Sequence, residues 1–356
     1  MTTTSRPILI QGSHNRDSGG VPLIRSDDYD CAAPGNIHDF SSSEKHETAA
    51  SLPLEKFTDS SLQVLLARSL PIRMKITRLV NHFRSGLTFK EALAISEEFV
   101  TELRYSSSTI ETWRLAGAAI TPFQIEVFNL ITHRFLLALH YNFAVLSRKD
   151  PTFYYSRKMC QDSAMALLSP PVKLRDRDFY RLMLSGRGLY QDVHTQAVNF
   201  LSDDIYADLS GPTYTLSALA TSQVEETCAR IEDAVELLRT RVERGETGVK
   251  GYAFFACALA QVRAAMNGVE STRGLQEALK DALEKSYVAL RSRFDGSPPT
   301  TVTHEHGLSG DGGEISADLI DWFQWDDNFG LGEDDGWMQG LGDMGQLGAQ
   351  STGATQ

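Results

Sequence analysis

Three times between residues 88 and 151 the chain carries a helix start that few other conformations can use. Thr88 with Glu91 three residues on is a capping box ahead of FKEALAISEEFVTEL, in which Phe89, Leu93, Ile95, Phe99 and Leu103 are apolar. Thr121 stands before Pro122, and Asp150 before Pro151. Proline is tolerated at the first position of a helix because its missing N–H has no intrahelical partner to lose. The segment opened at Pro122 is apolar on most faces to about residue 147, with Phe123, Val127, Phe128, Leu130, Ile131 and Phe135 to Leu137 among its residues, while Glu126, Asn129, Arg134 and Asn142 interrupt it. Such a segment reads as a buried central helix and not as a membrane span.

Further helices are expected on either side. Ser60 with Gln63 can cap a helix over 62–83, with Pro71 as a kink or break. FYYSRKMCQDSAMALL (153–168) follows Asp150-Pro151, and two more helices cover 248–266 and 272–294. Val224, Cys228, Ile231, Val235, Leu238 and Val242 recur at alternating spacings of four and three, a seam one helix face wide. The expected role of this seam is packing inside its own bundle, with dimerisation as the alternative. Strand-like alternation is nowhere sustained. The expected fold class is all-α, a multi-helix body followed by a disordered acidic tail.

Composition divides the chain into four parts. Residues 1–57, rich in Ser, Asp, Pro and Gly, read as loop or weakly ordered segment. Residues 58–294 form the helical body, 295–313 have the Pro, Gly, Ser and Thr content of a linker, and 314–356 form an acidic-aromatic tail. Of the 46 acids in the chain twelve lie in residues 295–356, which contain no Lys or Arg, so the remaining 34 acids balance all 34 bases. The net charge of −12 is therefore a property of the C-terminal stretch. Trp322, Trp325 and Trp337, three of the four tryptophans, are set among those carboxylates. Ile315, Leu319, Trp322 and Phe323 fall on one face of a helix, too small a set to bury that face alone. The pattern is that of an acidic-hydrophobic activation segment, whose acids keep the aromatics solvated and steer them to basic-rimmed grooves. The expected partner-binding residues are Leu319, Trp322, Phe323, Trp325, Phe329 and Trp337. The alternatives are a solubilising tail or aromatics docked on the body.

Other chemistries find little support. The four cysteines, at 31, 160, 228 and 257, have neither zinc nor redox spacing and suggest a reducing compartment. The first fifteen residues have an apolar run of only four, far short of a signal peptide. No G-x-S-x-G, phosphate-binding Gly-rich loop or H-E-x-x-H occurs, and no catalytic residues are expected. His304-Glu305-His306 lacks a third ligand, and Asp326-Asp327 with Glu333-Asp334-Asp335 lack calcium-loop spacing, so no metal site is expected. His133, His140 and His194 lie singly on helical segments and read as partly buried, hydrogen-bonded residues. The short basic runs at 156–158 and 173–181 read as helix faces or turns, not DNA contacts.

Residues 17–40, DSGGVPLIRSDDYDCAAPGNIHDF, resemble a loop of the fungal-specific regulatory domain of zinc binuclear cluster transcription factors. The resemblance rests on Pro22, Leu23, Ile24, Asp27, Asp28, Tyr29, Asp30, Pro34, Asn36, Ile37 and Asp39. It continues through Thr58-Asp59-Ser60-Ser61, Leu70-Pro71-Ile72-Arg73, the long apolar helix and residues 150–168. The match covers roughly 14–170, and more loosely 171–294. None of these motifs carries chemistry. The family binds DNA through an N-terminal cluster of six cysteines holding two zinc ions, which four cysteines cannot supply. The helices that precede the 17–40 loop in the family are also missing, so the body is expected to be incomplete on its N-terminal side and part of the 60–170 core exposed.

The resemblance implies a fungal transcription regulator fragment located in the nucleus, recruiting transcriptional coactivators through the tail to regulate RNA polymerase II transcription. It would be a truncated gene model, the product of an alternative start or a natural form without DNA contact. Zinc is expected only in the missing cluster of full-length relatives, DNA only where such a cluster lies upstream, and a membrane not at all. The alternative is a helical module without DNA contact that titrates the regulator or its partners.

Overall fold

In the computed structural model, the residues described are 32–38, 51–81, 87–169, 176–209, 218–269 and 271–294. Among them every regular element is a helix: α1 (Ser61–Val80), α2 (Phe89–Leu115), α3 (Pro122–Leu146), α4 (Tyr154–Leu168), α5 (Arg177–Ser185), α6 (Leu189–Leu209), α7 (Ala218–Glu243), α8 (Val249–Met266) and α9 (Ser271–Phe294), with a 3₁₀ turn at Pro151–Phe153. They fall into two compact units, divided between Ala197 and Val198 inside α6.

In the unit ending at Ala197, α3 is the central helix. It packs against α1, α2, α4 and α5, and its buried residues run unbroken from Phe135 to His140. One face meets Ile72 and Ile76 of α1 and Ile95 and Phe99 of α2. Thr121 and Gln124 form the capping box at its start, with Pro122 inside the first turn. The Thr88–Glu91 box opens α2 in the same way. Asp150 accepts from the Thr152 amide, but the chain makes one 3₁₀ turn before α4 begins at Tyr154.

Three local features depart from the sequence expectation. Pro71 sits inside α1 without ending it. The carbonyl of Leu66, in the turn before Pro71, accepts from Arg73 Nη2 at 2.6 Å and Ser69 Oγ at 3.1 Å, so side chains supply donors beside the proline. Helix α2 does not stop near Leu103 but continues to Leu115 through Ser106-Ser107-Ser108-Thr109, a poor helix-forming run. Tertiary packing overrides that propensity. Trp113 is fully buried, its indole Nε1–H donates to Leu54 O at 2.8 Å, and its ring lies 5.3 Å from that of Phe57. The helix ends at Gly117, where φ is +75° and the Ala118 amide reaches back to the Trp113 carbonyl.

The third departure is at Ser60, whose side chain does not cap α1. Its hydroxyl accepts from the Ile37 amide at 2.8 Å, and its single proton lies between the carbonyls of Gly35 and Ile37. Beside it Asn36, 3% exposed, is saturated. Its Nδ2 donates to Pro53 O (3.0 Å) and Lys56 O (2.8 Å), and its Oδ1 accepts from Thr58 Oγ1 (2.7 Å) and Ser61 Oγ (2.6 Å). The Asn36 amide donates to Ser51 Oγ, and the Leu52 amide returns to the Asn36 carbonyl. Residues 34–37 and 58–61, two stretches that carry the family resemblance, thus close on one another as a polar clasp at the start of α1. Residues 32–38 have no helix or strand, yet they are fixed by side-chain bonds.

A second buried polar junction crosses the helices. His140 of α3 is fully buried, with Nε2 at 2.8 Å from Ser96 Oγ of α2 and Nδ1 at 2.9 Å from Ser156 Oγ of α4. A neutral imidazole has one donor and one acceptor, so one hydroxyl donates to it and the other accepts. Desolvation drives its pKa down to about 4.

In the unit beginning at Val198, α7, α8 and α9 pack pairwise. Cys228, Ile231, Leu238 and Val242 of the expected seam are buried. Cys228 meets Ile205 of α6 and Val262 of α8, with Val224 packed alongside. The seam is thus an internal one. The Arg241 guanidinium, nearly closed off from solvent, is neutralised by Glu246.

Two outcomes are expected. Asn36→Ala strands two carbonyls and two hydroxyls and should cost about 2–4 kcal/mol in urea unfolding; Asn36→Asp, which loses both donors, should also destabilise, and wild-type stability in N36D would show that those donors are dispensable. His140 binds its proton more readily in the unfolded chain, near 6.5, than in the fold, near 4. Its contribution is therefore complete above about pH 6.5 and shrinks as the pH falls toward 4, by on the order of 3 kcal/mol. Unfolding free energies of wild type and His140→Gln, taken from pH 7 to pH 4, should converge with acid, the variant giving the flatter profile.

Candidate binding surfaces of the helical body

The expected partner-binding residues Leu319, Trp322, Phe323, Trp325, Phe329 and Trp337 lie outside the described residues, as do the 295–313 linker, His304-Glu305-His306 and the paired carboxylates beyond. Concave surfaces among the described residues of the helical body include two grooves.

The larger is a groove of about 720 Å³ between α7, α8 and α9. Its floor includes Val235, Tyr252, Ala256, Leu259 and Ala260. The sequence places an amphipathic seam on α7 and leaves a second, shallower stripe between α8 and α9 to form this floor. Charges around the rim balance and are paired: Arg263 with Glu232 across α8 and α7, Arg239 with Glu236 along α7, Arg273 with Glu277 and Lys285 with Asp281 along α9. Such exposed pairs contribute little stability, but they leave the rim close to neutral. Tyr252 is buried in the floor of this groove. Burial first, then the nearby Asp281 carboxylate, push its phenol up to about 12, so it stays a neutral hydroxyl.

The smaller groove, about 520 Å³, lies between α1 and α2 and is lined by Arg68, Pro71 and Ile72 on one side and Glu97, Glu98, Thr101 and Glu102 on the other. Arg68 pairs with Glu102 at 3.4 Å, and Lys75 with Glu98 at the same distance. The Arg68 guanidinium also lies 4.3 Å from the centre of the Tyr105 ring, a cation–π contact.

His140, His194 and the described cysteines are buried. His140 is the polar junction described above. The Nδ1–H of buried His194 donates to the Tyr190 carbonyl one turn back, at 3.1 Å. His133 differs from expectation: its Nδ1 is closed off from solvent with no hydrogen-bond partner among the described residues, and burial holds its pKa below the usual value. Cys160, Cys228 and Cys257 are buried free thiols, and desolvation raises the Cys257 pKa to about 12, far from nucleophilic. Among the described residues no group of three or more His, Cys, Asp or Glu is placed to hold a metal ion. No described helix is long and apolar enough to cross a membrane. The basic run around 173–181 enters α5, whose Phe179 and Met183 are buried and whose Arg181 faces Asp178, so the described part of it is a helix face.

No protein-family model matches the chain, and no solved structure matches it. The chain is 28% identical over 302 residues to transcription factor lepE of Aspergillus flavus, covering 81% of this chain and 36% of that protein. It is 29% identical over 299 residues to transcription factor opdR of Penicillium oxalicum, covering 76% of this chain and 38% of that one. It is 28% identical over 292 residues to the aspyridones cluster regulator apdR of Emericella nidulans, covering 78% of this chain and 40% of the regulator. The chain thus corresponds to well under half the length of these relatives. Over most of its length it is a homologue of a segment of fungal transcription factors.

Proposed function

We propose that the chain regulates RNA polymerase II transcription in the fungal nucleus, its helical body serving as scaffold and its acidic-aromatic tail recruiting coactivators. The observation that carries this reading is the segregation of the whole net charge and three of four tryptophans into the last sixty-two residues of a homologue of transcription factors. The body supports it by what it does not offer. The rim of its larger groove is charge-paired and exerts no net attraction on an acidic segment. Leu319, Trp322, Phe323, Trp325, Phe329 and Trp337 are then left for an outside groove with a basic rim. In this reading contact with DNA belongs to a zinc cluster elsewhere, because the described cysteines are buried one by one.

That same isolation of the cysteines favours a second reading, in which this chain titrates a full-length regulator or its partners. Co-expression with a full-length relative separates the two: rising target-gene expression supports recruitment, falling expression supports titration.

Fused to a foreign DNA-binding domain, residues 295–356 should activate a reporter. Replacing Trp322, Phe323 and Trp325 with Ala together should lower that activity by roughly tenfold or more, as expected for loss of aromatic anchors. Activity that survives the triple replacement would mean that the carboxylates alone suffice and the aromatic contact is wrong.

A further inference from the structure

Arg73 of α1 and Arg134 of α3 converge on one aromatic ring. The Arg73 guanidinium carbon lies 5.6 Å from the centre of Phe135 and that of Arg134 4.6 Å from it. Arg73 is 9% exposed and Arg134 is half-buried. Among the described residues neither forms an ion pair with a carboxylate. Arg73 spends Nε on Ser69 Oγ (3.2 Å) and Nη2 on the Leu66 carbonyl, which fixes its plane and leaves Nη1 unengaged. Arg134 Nε is closed off from solvent and has no acceptor among the described residues.

This arrangement is unfavourable as it stands. Removing guanidinium groups from water without a counter-charge is costly, and bringing two together adds repulsion that low dielectric strengthens. Phe135 offers each the negative face of a ring, a partial compensation. Among the described residues Asp192 of α6 is the acid whose charge bears on Arg134, opposing both the desolvation and the Arg73 repulsion. Among the described residues one acid thus faces two cations, which leaves the Arg73–Arg134 pair with a net positive charge.

We propose that Arg73 and Arg134 form an anion-binding site for a small effector bearing a carboxylate or phosphate, its oxyanion held between the two guanidinium groups beside Phe135. The planar forks of two arginines suit the oxygens of either group, and the apolar ring suits the carbon skeleton of a small organic acid or ester. Because α1 and α3 each contribute one arginine, the bound anion ties α1 to the central helix. The effector would thereby stiffen the unit that ends at Ala197.

The test uses the full chain and three salts at equal ionic strength: sodium phosphate, sodium succinate and sodium chloride. Phosphate, succinate or both should raise the thermal midpoint saturably, by roughly 3–6 °C at ten times the dissociation constant, while chloride does not. The anion giving the larger rise identifies the ligand class. Arg134→Met keeps the apolar stem and should abolish the rise, while Arg134→Lys should retain part of it. Without anion, Arg134→Met should unfold at the wild-type midpoint or above, since it relieves a repulsion. Equal response to all three salts, a rise that persists in R134M, or a lowered midpoint of ligand-free R134M would each overturn the site and make Arg134 a structural residue.

Discussion

A helix that is apolar on most of its faces must be covered on most of its faces, and α3 imposes this on everything around it. Helices α1, α2, α4 and α5 all pack against it. Its own polar groups must then find partners within the bundle, where each unmet one costs about 1–3 kcal/mol. Thr132 returns its hydroxyl to the Phe128 carbonyl, and His140 takes one serine from the helix before it and one from the helix after. Arg134 leans on Phe135. The serines at 96 and 156 are therefore not spare polar residues in apolar helices. They are the complement of a histidine that cannot reach water, and they fix the rotation of α2 and α4 about α3.

Much of this was legible in the sequence, because helix starts depend on neighbours three residues apart. The Thr88–Glu91 box, Pro122 at the first position and the apolar run behind it are local signals, and the structure follows them. What was not legible is what depends on distant partners. The second half of α2 is held by Trp113 reaching Leu54 and Phe57, some sixty residues upstream. Ser60 looked like a helix cap by its spacing to Gln63, yet its hydroxyl is taken by residues 35 and 37. Asn36 could be recognised only as part of a pattern, since nothing local indicates that its amide would be saturated by Pro53, Lys56, Thr58 and Ser61.

The candidate surfaces divide the same way. The acidic-aromatic tail is written in composition, so it can be read without a fold. The groove between α7, α8 and α9 is assembled from three helices, and its neutrality comes from ion pairs such as Glu232–Arg263 that join positions thirty-one residues apart. Arg73 and Arg134 are further apart still, each unremarkable within its own helix. Outside the last sixty-two residues acids and bases balance, so the net charge of the chain is confined to its acidic-aromatic stretch.

The buried thiols have a use unrelated to regulation. Cys160 lies in the unit ending at Ala197, and Cys228 and Cys257 lie in the other. None can meet a bulky alkylating reagent while its helix stays packed, so modification requires local or global opening. Pulsed alkylation followed by peptide mass analysis thus reads the opening of each unit separately, with no engineered probe. The native chain carries its own pair of stability gauges, one for the body built around α3 and one for the three-helix body that leads to the tail.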